Sequence, residues 1–226
     1  MAITSIASTF ALVRKDIHSE LRTRYALNAL IMFVVTAVAT ILFALRSDQP
    51  TSSVLSGLYW VVVFFTAMSG LSRTFVSEEE RGTTMTLQLV ASPSTVYFAK
   101  LLFNTALTFS MTIAVTILYM AVFSNAFEIR TPSIFIVTVA LGSLGFASAS
   151  TIIAAIVAKA NTRGTLYPVL SFPILIVLLM TVMEATTKSL DGEVFSTAFG
   201  DFQILVGYFL AITGGSYLLF EYVWKD

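Results

Sequence analysis

Apolar residues fall into six long runs along the chain: residues 26–45 (ALNALIMFVVTAVATILFAL), 54–72, 99–123, 134–158, 165–183 and 202–220. A helix rises about 1.5 Å per residue and needs about 20 mostly apolar residues to cross a hydrocarbon core about 30 Å thick. The pattern therefore predicts an all-α integral membrane protein with six transmembrane helices, forming a single membrane domain over residues 1–226. Before the first run the period changes. Phe10, Val13, Ile17 and Leu21 recur at helical spacing, while Arg14, Lys15, Asp16, His18, Glu20, Arg22 and Arg24 fill the remaining positions. This predicts an amphipathic helix over residues 8–24 lying in the membrane interface. The connections are short except for residues 73–98 and 184–201.

Within the runs, Pro168 and Pro173 interrupt the fifth. Proline removes a backbone donor and kinks a helix, which a bundle tolerates where neighbours re-satisfy the freed carbonyls. The fourth run contains LGSLGFASAS, Leu141 to Ser150. Small residues let helix backbones approach closely, so this stretch reads as packing within the bundle. No internal repeat of the inverted-transporter kind is visible. Glu184, Asp191, Glu193 and Asp201 in the 184–201 connection match no cation-binding spacing and read as a solvated loop.

Composition agrees with lipid as the solvent: 57% of residues are hydrophobic, mean hydropathy is +0.87 and only 12% are charged. A soluble domain carries about 25% charged residues. The formal net charge is zero, which points away from nucleic acid as a partner. There is no cysteine, which excludes disulfides and thiolate metal sites. The single histidine, His18, sits on the polar face of the first helix and reads as a solvated side chain. The N-terminus has no charged region ahead of an apolar core and does not read as a signal peptide. No phosphate-binding loop, zinc-protease motif or nucleophile elbow occurs. No ionisable residue stands near the centre of a run, which argues against an ion-driven carrier. No cofactor is expected on this chain itself, and no catalytic or metal site.

Lysine and arginine resist translocation, so their distribution sets orientation. With the N-terminus cytoplasmic, the inner segments carry Arg14, Lys15, Arg22, Arg24, Arg73, Arg81, Lys100, Lys159, Arg163 and Lys225. The outer segments carry Arg46, Arg130 and Lys188. Both termini and the 73–98 loop are thus expected on the cytoplasmic side.

That loop holds the densest charge in the chain, Glu78, Glu79, Glu80 and Arg81, followed by Gly82 and Thr83. Gly82 permits a sharp backbone turn. Beyond it, Met85, Leu87, Leu89 and Val90 supply an apolar surface. Ser92 and Pro93 read as an N-cap and first helical residue, so the third span's helix is predicted to start there. A segment of this kind suits docking of a separate motor, with the charges choosing the partner. Composition alone does not separate this from a solvated loop that keeps charge out of lipid.

The stretch EEERGTTMTLQLVASPSTVYFAKLL, Glu78 to Leu102, resembles the loop after the second span in ABC-2-type exporter permeases. LVRKDIHSELRTRYALNALIMF (Leu12 to Phe33) and WVVVFFTAMSGLSRTFVSEEERGT (Trp60 to Thr83) resemble the CcmB family, the haem exporter B permeases of cytochrome c maturation. The resemblance implies the ABC-2-type exporter fold and a bacterial inner-membrane location. The loop would be the coupling element for a CcmA-type ATPase that binds the ATP. The implied partners are a second copy of the chain, a CcmC-type haem-handling protein and a CcmE-type haem chaperone. Haem would be cargo of the complex rather than a cofactor, and a mechanical role on the partners is favoured over a haem channel here. An ABC-2 permease for a lipid, polysaccharide or drug, and a non-transporting scaffold, remain the alternatives.

Overall fold

The computed structural model describes residues 2–22, 24–45, 50–80, 82–124, 126–159 and 166–225. Among these, nine α-helices account for nearly all of the backbone. They are α1 (Ala2–Arg22), α2 (Arg24–Ala44), α3 (Ser52–Leu71), α4 (Arg73–Glu80), α5 (Thr84–Val90), α6 (Pro93–Val122), α7 (Pro132–Lys159), α8 (Leu166–Asp191) and α9 (Phe199–Lys225). Five helical segments among the described residues are long and apolar enough to cross a membrane: Ser52–Val76, Pro93–Val122, Pro132–Lys159, Ser171–Asp191 and Phe195–Trp224. The first expected span falls on α2, whose described apolar stretch, Asn28 to Ala44, is shorter than those five, so five rather than six spans are shown among the described residues.

Helix α7 is the axis of the bundle and packs on α6, α8, α9 and α4. Its small residues explain why. A methyl group on Gly142 would meet the Trp60 ring at 2.8 Å, and one on Gly145 would meet the Leu178 side chain at 2.6 Å. The small-residue stretch is therefore used for contacts within the chain, as its composition predicts. Around it lies an aromatic core in which Tyr59, Trp60, Tyr119, Phe127 and Phe146 are fully buried. Their polar atoms are matched: Tyr59 shares a hydrogen bond with Thr116 at 2.8 Å, and Trp60 Nε1 donates to Thr186 Oγ1 at 2.8 Å. Buried aromatics with a polar handle require such partners.

The structure corrects the expectation for residues 184–201. Helix α8 runs on to Asp191 and α9 begins at Phe199, with a short 3-10 turn at Phe195–Ala198 between them. Gly192, at φ +77°, ends α8 in the left-handed conformation that favours glycine. Lys188 bridges Glu184 at 3.1 Å and the buried Asp201 at 2.8 Å. Lys188 thus satisfies carboxylates from both helices, while Glu193 stays exposed in the short link between them. Pro173 sits inside α8 without ending it.

Two ends of the bundle can be told apart. Lys188, Asp191 and Thr131 gather at one. At the other, α1, α4, α5 and the last turn of α9 meet.

Candidate functional site

The 73–98 segment is not a loop but two short helices and the first turns of a third. Helix α4 follows α3 after Ser72 alone. Leu71, Thr74, Phe75 and Glu78 recur at three- and four-residue steps and form one buried stripe. Thr74 Oγ1 donates to Leu71 O and to Asn104 Oδ1, and Asn104 Nδ2 donates to Thr151 Oγ1 at 2.8 Å. Phe75 packs against Phe220 and Trp224 of α9. The helical period therefore carries Glu78, the first of the three glutamates, inward, where it is 6% exposed.

Glu78 meets two lysines there. Lys100 Nζ of α6, 3% exposed, lies 3.1 Å from Glu78 Oε1 and 2.9 Å from Asp16 Oδ2 of α1, and donates to Thr74 O at 3.2 Å. Lys15 Nζ pairs with Glu78 Oε1 as well. Thr83 Oγ1 donates to Glu78 Oε2 at 2.6 Å. Two cations and two carboxylates thus form a neutral clasp that joins α1, α4 and α6. Burial alone would raise the Glu78 carboxyl. The Lys100 charge and the hydrogen bonds from Lys15 and Thr83 outweigh it and hold the group at about 2.

Gly82 adopts φ +66° and turns the chain out of α4. Its N–H donates to Glu79 O and that of Thr83 to Glu78 O, both at 3.0 Å. These bonds satisfy carbonyls left open at the end of α4. Glu79 faces outward and accepts from Thr84 Oγ1 at 2.7 Å. Helix α5 then presents two unlike faces. Leu87 is turned in, and Gln88 Nε2 donates to Trp224 O at 2.6 Å. Met85, Leu89 and Val90 point outward, at 78%, 88% and 80% exposure. Ser92 accepts from Thr95 N, and Pro93 opens α6, as the Ser-Pro pair predicts.

The expected site residues thus separate. Glu78 does not face outward; the stripe it shares with Leu71, Thr74 and Phe75 turns it into the bundle. The Glu80 side chain and Arg81 lie outside the described residues. Leu87 is an internal anchor, and Leu89 is free. On α1, Phe10 and Ile17 are exposed, at 63% and 40%, and continue an apolar row from Ile6. Val13 is half-buried, and the Leu21 side chain lies outside the described residues. Asp16, expected on the solvated face, is instead buried beneath Lys100. Lys15, Asp16 and Lys100 were not singled out as site residues by their sequence. The available signal was a lysine seven residues inside a helix that starts at Pro93, too deep to stay in water without a partner.

Residues 7–215 match the family model described as CcmB protein. The chain belongs to the CcmB family. No curated protein matches it closely enough to count as a relative. CcmB proteins are the membrane component of the haem exporter of cytochrome c maturation. As a CcmB protein, the chain is a multi-pass permease subunit and not by itself an enzyme. It works within that ABC exporter alongside other Ccm components.

Proposed function

We propose that α4 and α5 form the coupling element through which a CcmA-type ATPase drives this CcmB protein. The observation that carries the reading is the exposed trio Met85, Leu89 and Val90 on a helix anchored by Leu87 and Gln88. Three large apolar side chains outside the spans gain free energy by being covered, at about 25 cal/mol per Å² of apolar surface removed from water. Glu79, exposed beside them, supplies charge for register.

In this reading the ATPase moves α5, and the Gly82 turn passes that motion to α4. Because Glu78 is held by Lys15 and Lys100, α4 cannot shift without pulling on α1 and α6. Helix α2 serves as a sixth span: its 21 residues extend about 31 Å, enough to cross. The spans and the two-helix coupling element support an ABC-2-type exporter fold. Both termini lie in the cytoplasm of a bacterial inner membrane, as the lysine and arginine bias supports. The exposed row Ile6, Phe10 and Ile17 rests α1 on the lipid surface. The chain pairs with a second copy. Its output is haem delivery, or release of a haem-loaded CcmE-type chaperone, together with a CcmC-type protein.

Co-purification of the ATPase with tagged Leu89→Glu protein from membranes tests the coupling role. Retention should fall about tenfold or more, as loss of one interface anchor costs 1–2 kcal/mol or above. The melting temperature should hold, because Leu89 is almost fully exposed. Undiminished co-purification with normal c-type cytochrome levels would overturn the reading.

A further inference from the structure

A charged cavity and an apolar groove lie next to each other among α1, α2, α3, α4 and α6. The cavity, about 210 Å³, lies at the end of the bundle that carries the clasp and is lined by Glu20, Leu30, Phe33, Ser69, Gly70 and Arg73. The groove, about 380 Å³, continues along α2 and α6 and is lined by Leu30, Val34, Thr66, Leu107, Met111 and Leu118, among others. Leu30 lines both. Gly70 stands between them: a methyl group there would meet Met111 Cε at 2.6 Å and Leu30 Cδ1 at 3.6 Å.

Glu20 is half-buried and Arg73 exposed, and neither forms an ion pair or side-chain hydrogen bond with another described residue. They stand in contrast to the clasp nearby, where every charge has a partner. Along α6 the groove runs from Leu107 to Leu118. At 1.5 Å per residue that is about 16 Å, close to half of the hydrocarbon core of about 30 Å. Two opposite charges therefore stand beside an apolar groove about one leaflet long, with the flexible Met111 side chain against Gly70 between them.

We infer that this composite cavity is a binding site for one phospholipid with a primary ammonium headgroup, of the phosphatidylethanolamine class. Arg73 takes the phosphate, for which its planar fork of donors is suited. Glu20 takes the ammonium, which donates hydrogen bonds to the carboxylate. An acyl chain fills the groove past Gly70. An anionic lipid without the ammonium would bring its phosphate to Arg73 but leave Glu20 uncompensated. The site goes beyond the coupling role and does not depend on it.

Native mass spectrometry of the full chain, delipidated and offered phosphatidylethanolamine or phosphatidylglycerol at equal concentration, tests the inference. The unmodified chain should retain one phosphatidylethanolamine and prefer it about tenfold, a difference of about 1.4 kcal/mol. Arg73→Gln should lower retention of both lipids. Glu20→Gln should remove the preference while retaining lipid. Gly70→Ala should lower both, because the displaced Met111 side chain enters the groove; its melting temperature reports whether the fold survives. Lipid retention without preference in the unmodified chain would overturn the inference. So would retention indifferent to Glu20→Gln and Arg73→Gln, including the case of a second copy covering the groove.

Discussion

Helices α4 and α5 are neighbours in sequence, separated by the turn at Gly82, yet they are built on opposite rules. Helix α4 commits its inner face to the molecule: Thr74, Phe75 and Glu78 are all buried, and its one described inward charge is paired. Helix α5 commits only Leu87 and leaves Met85, Leu89 and Val90 outside. One glycine thus divides a segment that holds the fold from a segment that meets the surroundings. Charge in such a region does not by itself mark a contact surface; the apolar residues next to it do so better.

The sharpest way to break the contrast is to remove the shared cation of the clasp. Lys100→Met leaves Asp16 and Glu78 buried with Lys15 alone, and breaking a buried pair costs about 3–5 kcal/mol. Thermal unfolding in detergent should show that loss, whereas Leu89→Glu on α5 should not move the midpoint. Equal midpoints for the two variants would mean that the clasp carries no stability.

Acidification tests the same clasp without mutation. The Glu78 carboxyl is held at about 2, against 4.5 for an unperturbed glutamate. A group depressed in the folded state contributes stability above its unfolded value and loses it as pH falls through the folded one. Stability should therefore drop between about pH 4.5 and pH 2, and Glu78→Gln should flatten that part of the profile. An unchanged slope in the glutamine variant would assign the acid sensitivity to other carboxylates.

The smallest expected effect lies in the turn. Gly82→Ala meets no atom within 4 Å, so its cost is only the left-handed backbone, about 1–2 kcal/mol. Gly82→Pro cannot reach φ +66° at all and should separate ATPase binding from cytochrome maturation. If the alanine and proline variants retain the ATPase and support cytochrome maturation equally well, the turn is not a transmitting element.

Features set by neighbouring residues were legible in the sequence. The Ser92 cap, the Gly82 turn and the close-packed small residues of α7 each depend on local geometry, and each was readable without a structure. The clasp was not. Lys15, Glu78 and Lys100 come together only after α1 folds against α6, and no periodicity in the chain encodes that pairing. In the glutamate run, three like residues in a row hide which one the helix turns inward. The carboxylates of the 184–201 segment misled for the same reason: Lys188 gathers Glu184 and Asp201 across the turn between α8 and α9.

The bond from Gln88 to the carbonyl of Trp224 carries a consequence for biosynthesis. Helix α5 emerges from the ribosome long before α9, but it is fixed in place by the last turn of α9, with Phe75 waiting for Phe220 and Trp224 in the same way. A chain stalled before those residues holds the exposed trio without the platform that orients it. Orientation of the exposed trio on α5 thereby waits for the synthesis and folding of α9.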